Sequence, residues 1–370
     1  MSAPMRVAVL GAGSVGREVI RALLERVDDL RSADGSPMIL TGIAVRDVAR
    51  AVAAGIPEAL LTDAPAHLIA DPDTDVIVEL MGGDEPARTL MAAAIAAGKP
   101  VVTANKHVIA HHGAELEGLA RRNGTPLRFE AAVGGGTPVL GPIATDLAAN
   151  RLDAVRGIVN GTTNFILSAM SGQGRPYADV LADAQVAGYA EADPRGDVEG
   201  HDAANKLVIL ARLAFGRWLE PDSIMLAPGG AGTSIGLPGI TGVTLPDIVA
   251  AAAQHLAIKL IAAAVRTSDG VTATVLPSAV PLNSPLGRTD GVLNRIEVDG
   301  SPVGSVAFSG PGAGGAATSS AVLADLMAIA RQGGSTWAGL PAASGPVAAD
   351  AAGAGDVFIG PSGVAYPVIR

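Results

Sequence analysis

The chain has 370 residues, enough for about two domains of ordinary size, each able to bury its own core. Only 17% of its residues are charged and 49% are hydrophobic, which excludes a disordered chain, and a formal charge of −10 argues against nucleic-acid binding as the main function. Cysteine is absent, so disulfides, Cys-ligated zinc, iron–sulfur clusters and thiolate catalysis are excluded, in keeping with a cytoplasmic protein.

From the N-terminus, the apolar run Met5–Leu10 predicts a strand and stops at glycine, too short for a signal peptide. Helical spacing follows over 14–27 through Val15, Val19, Leu23 and Val27. Strands are then predicted at 38–45, 76–80, 100–103 and 126–131, with helices at 85–97 and 106–122. Apolar strands alternating with helices imply an α/β domain over 1–135, a doubly wound parallel Rossmann-type sheet covered on both faces.

The pattern changes beyond 135. A strand at 154–159 precedes helices at 163–170, 177–187 and 201–215. The runs 260–267 and 271–276 flank Ser268-Asp269-Gly270, and 294–298 and 303–308 flank Asp299-Gly300, two hairpin signals. They predict a second, α+β domain over 136–315 with a mixed or antiparallel sheet. The apolar stretch 248–265 is broken by Gln254, His255 and Lys259, so no membrane span is expected. A last helix at about 316–331 is expected to return to the first domain, and 332–370, rich in Gly, Ala and Pro, reads as irregular.

Three groups of residues carry chemistry. Gly11-Ala12-Gly13-Ser14-Val15-Gly16 matches GxGxxG between a strand and a helix. There Gly11 permits the turn, Gly13 lets backbone approach a pyrophosphate, Gly16 lets helix pack on strand, and Ser14 and Val15 offer amides at a helix N-terminus. The second strand ends Val45-Arg46-Asp47, which places Arg46 for a 2′-phosphate and predicts NADP preferred, with NAD accepted.

The densest polar segment is GYAEADPRGDVEGHDAANK (188–206), with Glu191, Asp193, Asp197, Glu199 and Asp202 before Lys206. Asp202 and Lys206 lie four apart on one helix, either a routine ion pair or a lysine tuned for proton transfer. Glu191, with no basic neighbour, suits a substrate ammonium group. An EF-hand starting at Asp193 fails because Arg195 stands at a ligand position and Val198 where the sixth-position glycine is needed. In Asn160-Gly161-Thr162-Thr163-Asn164, at a strand–helix junction, the side chains suit helix capping and also a small polar substrate, through Asn160 and Thr162. His107, His111 and His112 share a helix but lack the Glu of a zinc-protease motif, so a solvated face is expected.

With these blocks the sequence resembles the homoserine dehydrogenase family. The resemblance rests on GAGSVG (11–16), VVTANKHVIA (101–110), GIVNGTTNFIL (157–167) and the segment 188–207, with GPGAGGAATSSAV (310–322) similar to the family's late glycine-rich segment. It implies reversible, NAD(P)-dependent interconversion of L-homoserine and L-aspartate 4-semialdehyde, in threonine, methionine and isoleucine biosynthesis. It implies Lys206 as the proton-transfer residue with Asp202 as partner, Lys106 as a second active-site lysine near cofactor and substrate, and Glu191 as the ligand of the substrate amino group. Thr103, Gly188 and Gly312 would contact cofactor. A monovalent cation, sodium or potassium, would sit on backbone oxygens of Glu130, Val133, Gly135 and Thr137, where the residues alone suggest only a glycine join. A homodimer through the second domain's sheet and a short form without a C-terminal regulatory domain are expected. Aspartate-semialdehyde dehydrogenase is excluded because its thioester chemistry needs a cysteine. An NADP-binding sensor without turnover, or a Rossmann oxidoreductase for another amino acid, remain as alternatives.

Overall fold

The computed structural model describes residues 4–31, 35–227, 236–337, 339–353 and 355–369. The chain divides into two compact units, 1–146 with 313–345, and 147–312 with 346–370.

The first unit begins with β1 (Met5–Leu10), whose Val7 to Leu10 are fully buried, and α1 (Ser14–Glu25), which buries Val19, Ile20 and Leu23. It continues through β2 (Met38–Ala44), α2 (Val48–Ala53), β3 (Leu61–Thr62), α3 (Pro65–Ala70), β4 (Val76–Glu79), α4 (Ala87–Ala96), β5 (Val101–Thr103), α5 (Lys106–Asn123), β6 (Leu127–Arg128) and α6 (Leu140–Ala144). The six strands are parallel in the order β3-β2-β1-β4-β5-β6, the doubly wound order of dinucleotide-binding folds. Neither α2, α3 nor β3 is long enough to show a period in sequence. The expected strand at 126–131 is cut to two residues because the chain turns into a 3-10 helix at Glu130–Ala132.

The second unit is built on β7 (Arg151–Ile158), followed by α7 (Gly161–Gln173), α8 (Tyr177–Val186), α9 (Arg195–Val198), α10 (His201–Phe215) and α11 (Leu245–Ala253). Strands β8 (Leu256–Arg266), β9 (Val271–Pro281), β10 (Leu293–Ser301) and β11 (Gly304–Pro311) complete a five-stranded sheet, β11-β10-β7-β8-β9, antiparallel throughout. Asp299-Gly300 is not the hairpin turn. It lies inside β10 at a register shift against β7, and the chain reverses at Pro302-Val303. Asp-Gly also serves at bulges, where a missing side chain relieves crowding: a Cβ on Gly300 would lie 2.8 Å from the Leu152 side chain.

Helix α12 (Gly315–Ala330) lies in the first unit, its Ala321, Val322 and Leu326 in one core cluster with Val19, Ile20 and Leu23 of α1. The tail 332–370, expected to be irregular, carries a hairpin of β12 (Val357–Ile359) and β13 (Ala365–Pro367). Buried Asp247 anchors it, accepting hydrogen bonds from the Ser362 amide and the Tyr366 hydroxyl, both at 2.9 Å. Among the described residues, no helix is long and apolar enough to cross a membrane.

Candidate functional site

The glycine turn between β1 and α1 shows three different reasons for glycine. Gly11 has φ +104°, and a Cβ there would lie 2.6 Å from the Leu80 carbonyl oxygen; on Gly16 it would lie 2.2 Å from the Gly11 carbonyl oxygen. These two glycines are required by the fold. Gly13 differs: among the described residues no atom lies within 4 Å of its Cβ position. Its backbone borders open space, a cleft of about 640 Å³ lined by Gly11, Gly13, Ser14, Leu80 and the end of β2. A helix N-terminus over a cleft that a side chain at residue 13 would enter suits a pyrophosphate.

At the β2 end, exposed Arg46 lines this cleft together with Arg17 and Arg50. Asp47 lines it too, but its carboxylate caps α2, accepting the Arg50 amide at 2.9 Å. Arg17 and Arg50 carry no motif of their own; their signal is their spacing, one helical turn beyond the glycine turn and the strand end.

Further strand ends are tied together by Glu79, which the sequence reading missed. Thr103 Oγ1 donates to Glu79 Oε2 at 2.6 Å, and the amides of Met81 and Gly82 donate to Oε1 at 2.8 and 3.3 Å. Burial pushes the Glu79 carboxyl up, against these hydrogen bonds. The Thr103 side chain thus braces β4 to β5, and its oxygen also accepts the Asn105 amide. Asn105 caps α5 through the Val108 amide, which sets Lys106 at the first helical position. A charge within the otherwise apolar run Val76-Ile77-Val78-Glu79-Leu80 was the available signal for Glu79. On α5, His112 Nε2 lies 2.9 Å from Asp84 Oδ1, and the His107 and His111 rings are 4.3 Å apart.

The segment Glu130 to Thr137 forms a tight turn, with Gly134 and Gly135 at φ +76° and +57°. The Glu130 carboxylate accepts the amides of Val139, Leu140 and Gly141 at 2.7 to 2.9 Å, so that side chain holds the start of α6. Thr137 Oγ1 is buried and has no hydrogen-bond partner among the described residues.

In the second unit, Asp202 and Lys206 lie one turn apart on α10, 11% and 10% exposed at their side chains, with Nζ 2.7 Å from Asp202 Oδ2. Lys206 Nζ also donates to the Val159 carbonyl at 2.7 Å. Asn160, the next residue, donates from Nδ2 to Asp202 Oδ2 at 2.8 Å and to Asp197 Oδ1 at 2.7 Å. Its Oδ1 caps α7, accepting the Thr163 amide and hydroxyl. The junction of β7 and α7 thereby grips the lysine–aspartate pair. Asp197 stands unremarked among several carboxylates in sequence; only the fold singles it out.

The other expected residues of this unit lie apart, Thr162 in the first turn of α7 and Glu191, Gly188 and Gly312 in loops. Glu191 is exposed, its carbonyl accepting the Gln185 side-chain amide at 3.1 Å. Thr162 Oγ1 donates to the Tyr189 carbonyl at 2.7 Å. Gly188, φ +75°, ends α8 with no described atom within 4 Å of its Cβ position, whereas a Cβ on Gly312 would lie 2.1 Å from the Asn294 carboxamide.

Residues 11–130 match the family described as homoserine dehydrogenase, NAD binding domain, and residues 138–327 the family described as homoserine dehydrogenase. The chain belongs to the homoserine dehydrogenase family. It is 43% identical over 350 residues to the homoserine dehydrogenase of Corynebacterium glutamicum, covering 91% of this chain and 76% of the relative. The Mycobacterium tuberculosis enzyme is 44% identical over 333 residues, 89% of this chain and 73% of that one. The crystal structure of a homoserine dehydrogenase from Thiobacillus denitrificans superposes with a TM-score of 0.82 at 40% identity, over 89% of this chain and 73% of that one. A hyperthermophilic archaeal homoserine dehydrogenase in complex with NADPH gives 0.71 at 25% identity, over 88% and 97%. The family's NAD(P)-dependent oxidoreductase activity thus belongs to a chain whose first unit carries the glycine turn of an NAD-binding domain and whose second carries the lysine–aspartate pair of α10.

Proposed function

We propose that Lys206 is the proton-transfer residue of a reversible homoserine dehydrogenase reaction, with Asp202 as its orienting partner. The carrying observation is the count of directions around Nζ. Two N–H groups are engaged, by Val159 and Asp202, and no third partner is found among the described residues. In the ammonium the remaining direction holds an N–H; in the neutral amine it holds a lone pair. A substrate hydroxyl placed there gives up its proton to Lys206 in the oxidative direction, and in the reverse direction the ammonium protonates the forming alkoxide. Bound nicotinamide supplies the hydride acceptor or donor. Lys106 is assigned the stabilisation of negative charge on that oxygen, Glu191 the substrate ammonium group, and Thr162 a further substrate contact.

For the cofactor, the open face of Gly13 and the amides of Ser14 and Val15 fit a pyrophosphate, and the arginine-lined end of β2 favours NADP over NAD, with Arg46 as the main 2′-phosphate ligand. Thr103, Gly188 and Gly312 are assigned further cofactor contacts. For the cation, the unpartnered Thr137 Oγ1 beside two glycines of positive φ fits a small monovalent ion, with Glu130, Val133 and Gly135 contributing backbone oxygens. Homodimer formation through the second unit's sheet is supported by β11, an edge strand with Ser305, Ala307 and Ser309 exposed. The absence of cysteine supports a cytoplasmic setting.

The test is nicotinamide reduction followed by absorbance, with homoserine against a panel of other amino acids and with NADP and NAD in turn. Homoserine-dependent reduction with NADP faster than NAD is expected; reduction with another amino acid alone would overturn the substrate reading.

A further inference from the structure

Asn160 has the side chain expected of a substrate ligand, yet its hydrogen-bonding groups are already engaged. A carboxamide offers two N–H donors and one oxygen with two lone pairs. Both donors are engaged by carboxylates, Asp197 Oδ1 at 2.7 Å and Asp202 Oδ2 at 2.8 Å. Its oxygen accepts the Thr163 amide at 2.9 Å and lies 3.0 Å from the Thr163 hydroxyl, whose one hydrogen is shared with the Asn160 backbone carbonyl at 3.2 Å. The residue is 5% exposed. A substrate contact would have to displace one of these partners.

We infer that Asn160 is not a substrate ligand but a positioning residue, which ties α9 and α10 together through Asp197 and Asp202 and so fixes the direction in which Lys206 presents its free position. The inference rests on the assignment of Lys206 as the proton-transfer group. Asp202 Oδ2 accepts from Lys206 and from Asn160 at once, so its place is set by both. The second anchor of Lys206, the Val159 carbonyl, is the residue before Asn160, so one strand–helix junction holds both partners of the lysine. Removing the Asn160 donors takes away one of the anchors of the aspartate that orients the lysine. Hydrogen bonds to charged groups are stronger than neutral ones, and misplacement of a reacting group by about 1 Å costs about 10²-fold in rate.

The test compares Asn160→Ser, Asn160→Asp and Lys206→Ala with the parent enzyme in steady-state assays from pH 6 to 10, with thermal unfolding alongside. Serine is a good helix cap, so Asn160→Ser keeps the α7 cap and loses only the two donors to carboxylates. A fall in kcat of about 10- to 100-fold, with KM for homoserine within about threefold of the parent, is expected. Asn160→Asp keeps size and cap acceptor, and serves if the serine variant does not fold. It sets a third carboxylate against Asp197 and Asp202, so its kcat should be lowest at neutral and higher pH and recover as pH falls and the new carboxyl gains an O–H donor. A merely structural cap would leave the shape of that profile unchanged.

A raised homoserine KM with unchanged kcat would make Asn160 a substrate ligand after all and overturn the inference, as would parent-like kinetics in both variants. If Lys206→Ala has lost turnover in those cases, the proton-transfer assignment stands and only the positioning role falls. If Lys206→Ala turns over like the parent, the assignment itself fails and takes the inference with it.

Discussion

A Cβ on Gly16 would stand 2.2 Å from the carbonyl oxygen of Gly11, while one on Gly13, three residues earlier, would meet nothing within 4 Å among the described residues. The same motif therefore contains a glycine that the fold needs and one that the fold leaves free, which is the one assigned to the pyrophosphate under the proposed function. Gly16→Ala should lower stability by about 1–3 kcal/mol through overpacking against backbone. Gly13→Ala should lower stability by less than about 1 kcal/mol, the cost of alanine as the N-cap of α1, and weaken NADPH binding by tenfold or more, because the methyl enters the pyrophosphate's space. Urea titration and NADPH fluorescence on the two variants check this; equal losses of stability would contradict it.

Arg46, Arg17 and Arg50 border the cleft at the end of β2, and Asp47 is held as the cap of α2. Arg46→Ala is expected to raise the Kd for NADPH by about 10- to 100-fold and that for NADH by less than about threefold, since only NADPH carries the 2′-phosphate. Equal effects on both cofactors would place the arginine elsewhere on the nucleotide.

Glu191 stands on the loop that follows α8, exposed, with the Gln185 side chain on its carbonyl. Glu191→Ala should raise KM for homoserine by about 10- to 100-fold while kcat changes far less, the pattern of a lost ground-state contact. Steady-state kinetics at saturating NADP measure it, and a fall in kcat at constant KM would remove Glu191 from the ammonium site.

Asp325 on α12 accepts from Arg128 Nε at 2.7 Å and from the Glu130 amide at 2.8 Å, yet burial raises its carboxyl from 3.8 to about 6, outweighing both. The folded state thus holds this proton more tightly than the unfolded chain. Its contribution to stability is fully present below about pH 4 and is lost as pH rises through about 6. Asp325→Asn cannot titrate. The stability of the parent relative to this variant should therefore fall between about pH 4 and 7 in parallel urea titrations, and a constant or rising difference would contradict the shift.

The sequence made local features legible and hid those that depend on distant partners. The helix His201–Phe215 was readable to the residue, because its apolar run is bounded by Gly200 and Gly216, which the fold uses at φ +92° and +75°. The first strand and glycine turn were readable for the same local reason. The bonds from Asn160 to Asp197 and Asp202 span 37 and 42 residues, and no spacing rule reaches that far. Glu79 stood out as a charge in an apolar run, but its role was hidden because its partner Thr103 arrives from another strand. Asp299-Gly300 misled because one dipeptide suits both a turn and a bulge, and the choice belongs to β7 across the ladder. The tail hairpin was hidden because its anchor, Asp247, lies more than a hundred residues upstream.

The role of Lys206 is tested most directly by the turnover of Lys206→Ala, measured in both directions at saturating homoserine or aspartate semialdehyde and saturating cofactor. Loss of a positioned proton-transfer group predicts kcat lower by about 10²- to 10⁴-fold, with NADPH affinity retained. A variant that turns over within a few-fold of the parent would show that the proton moves through another group.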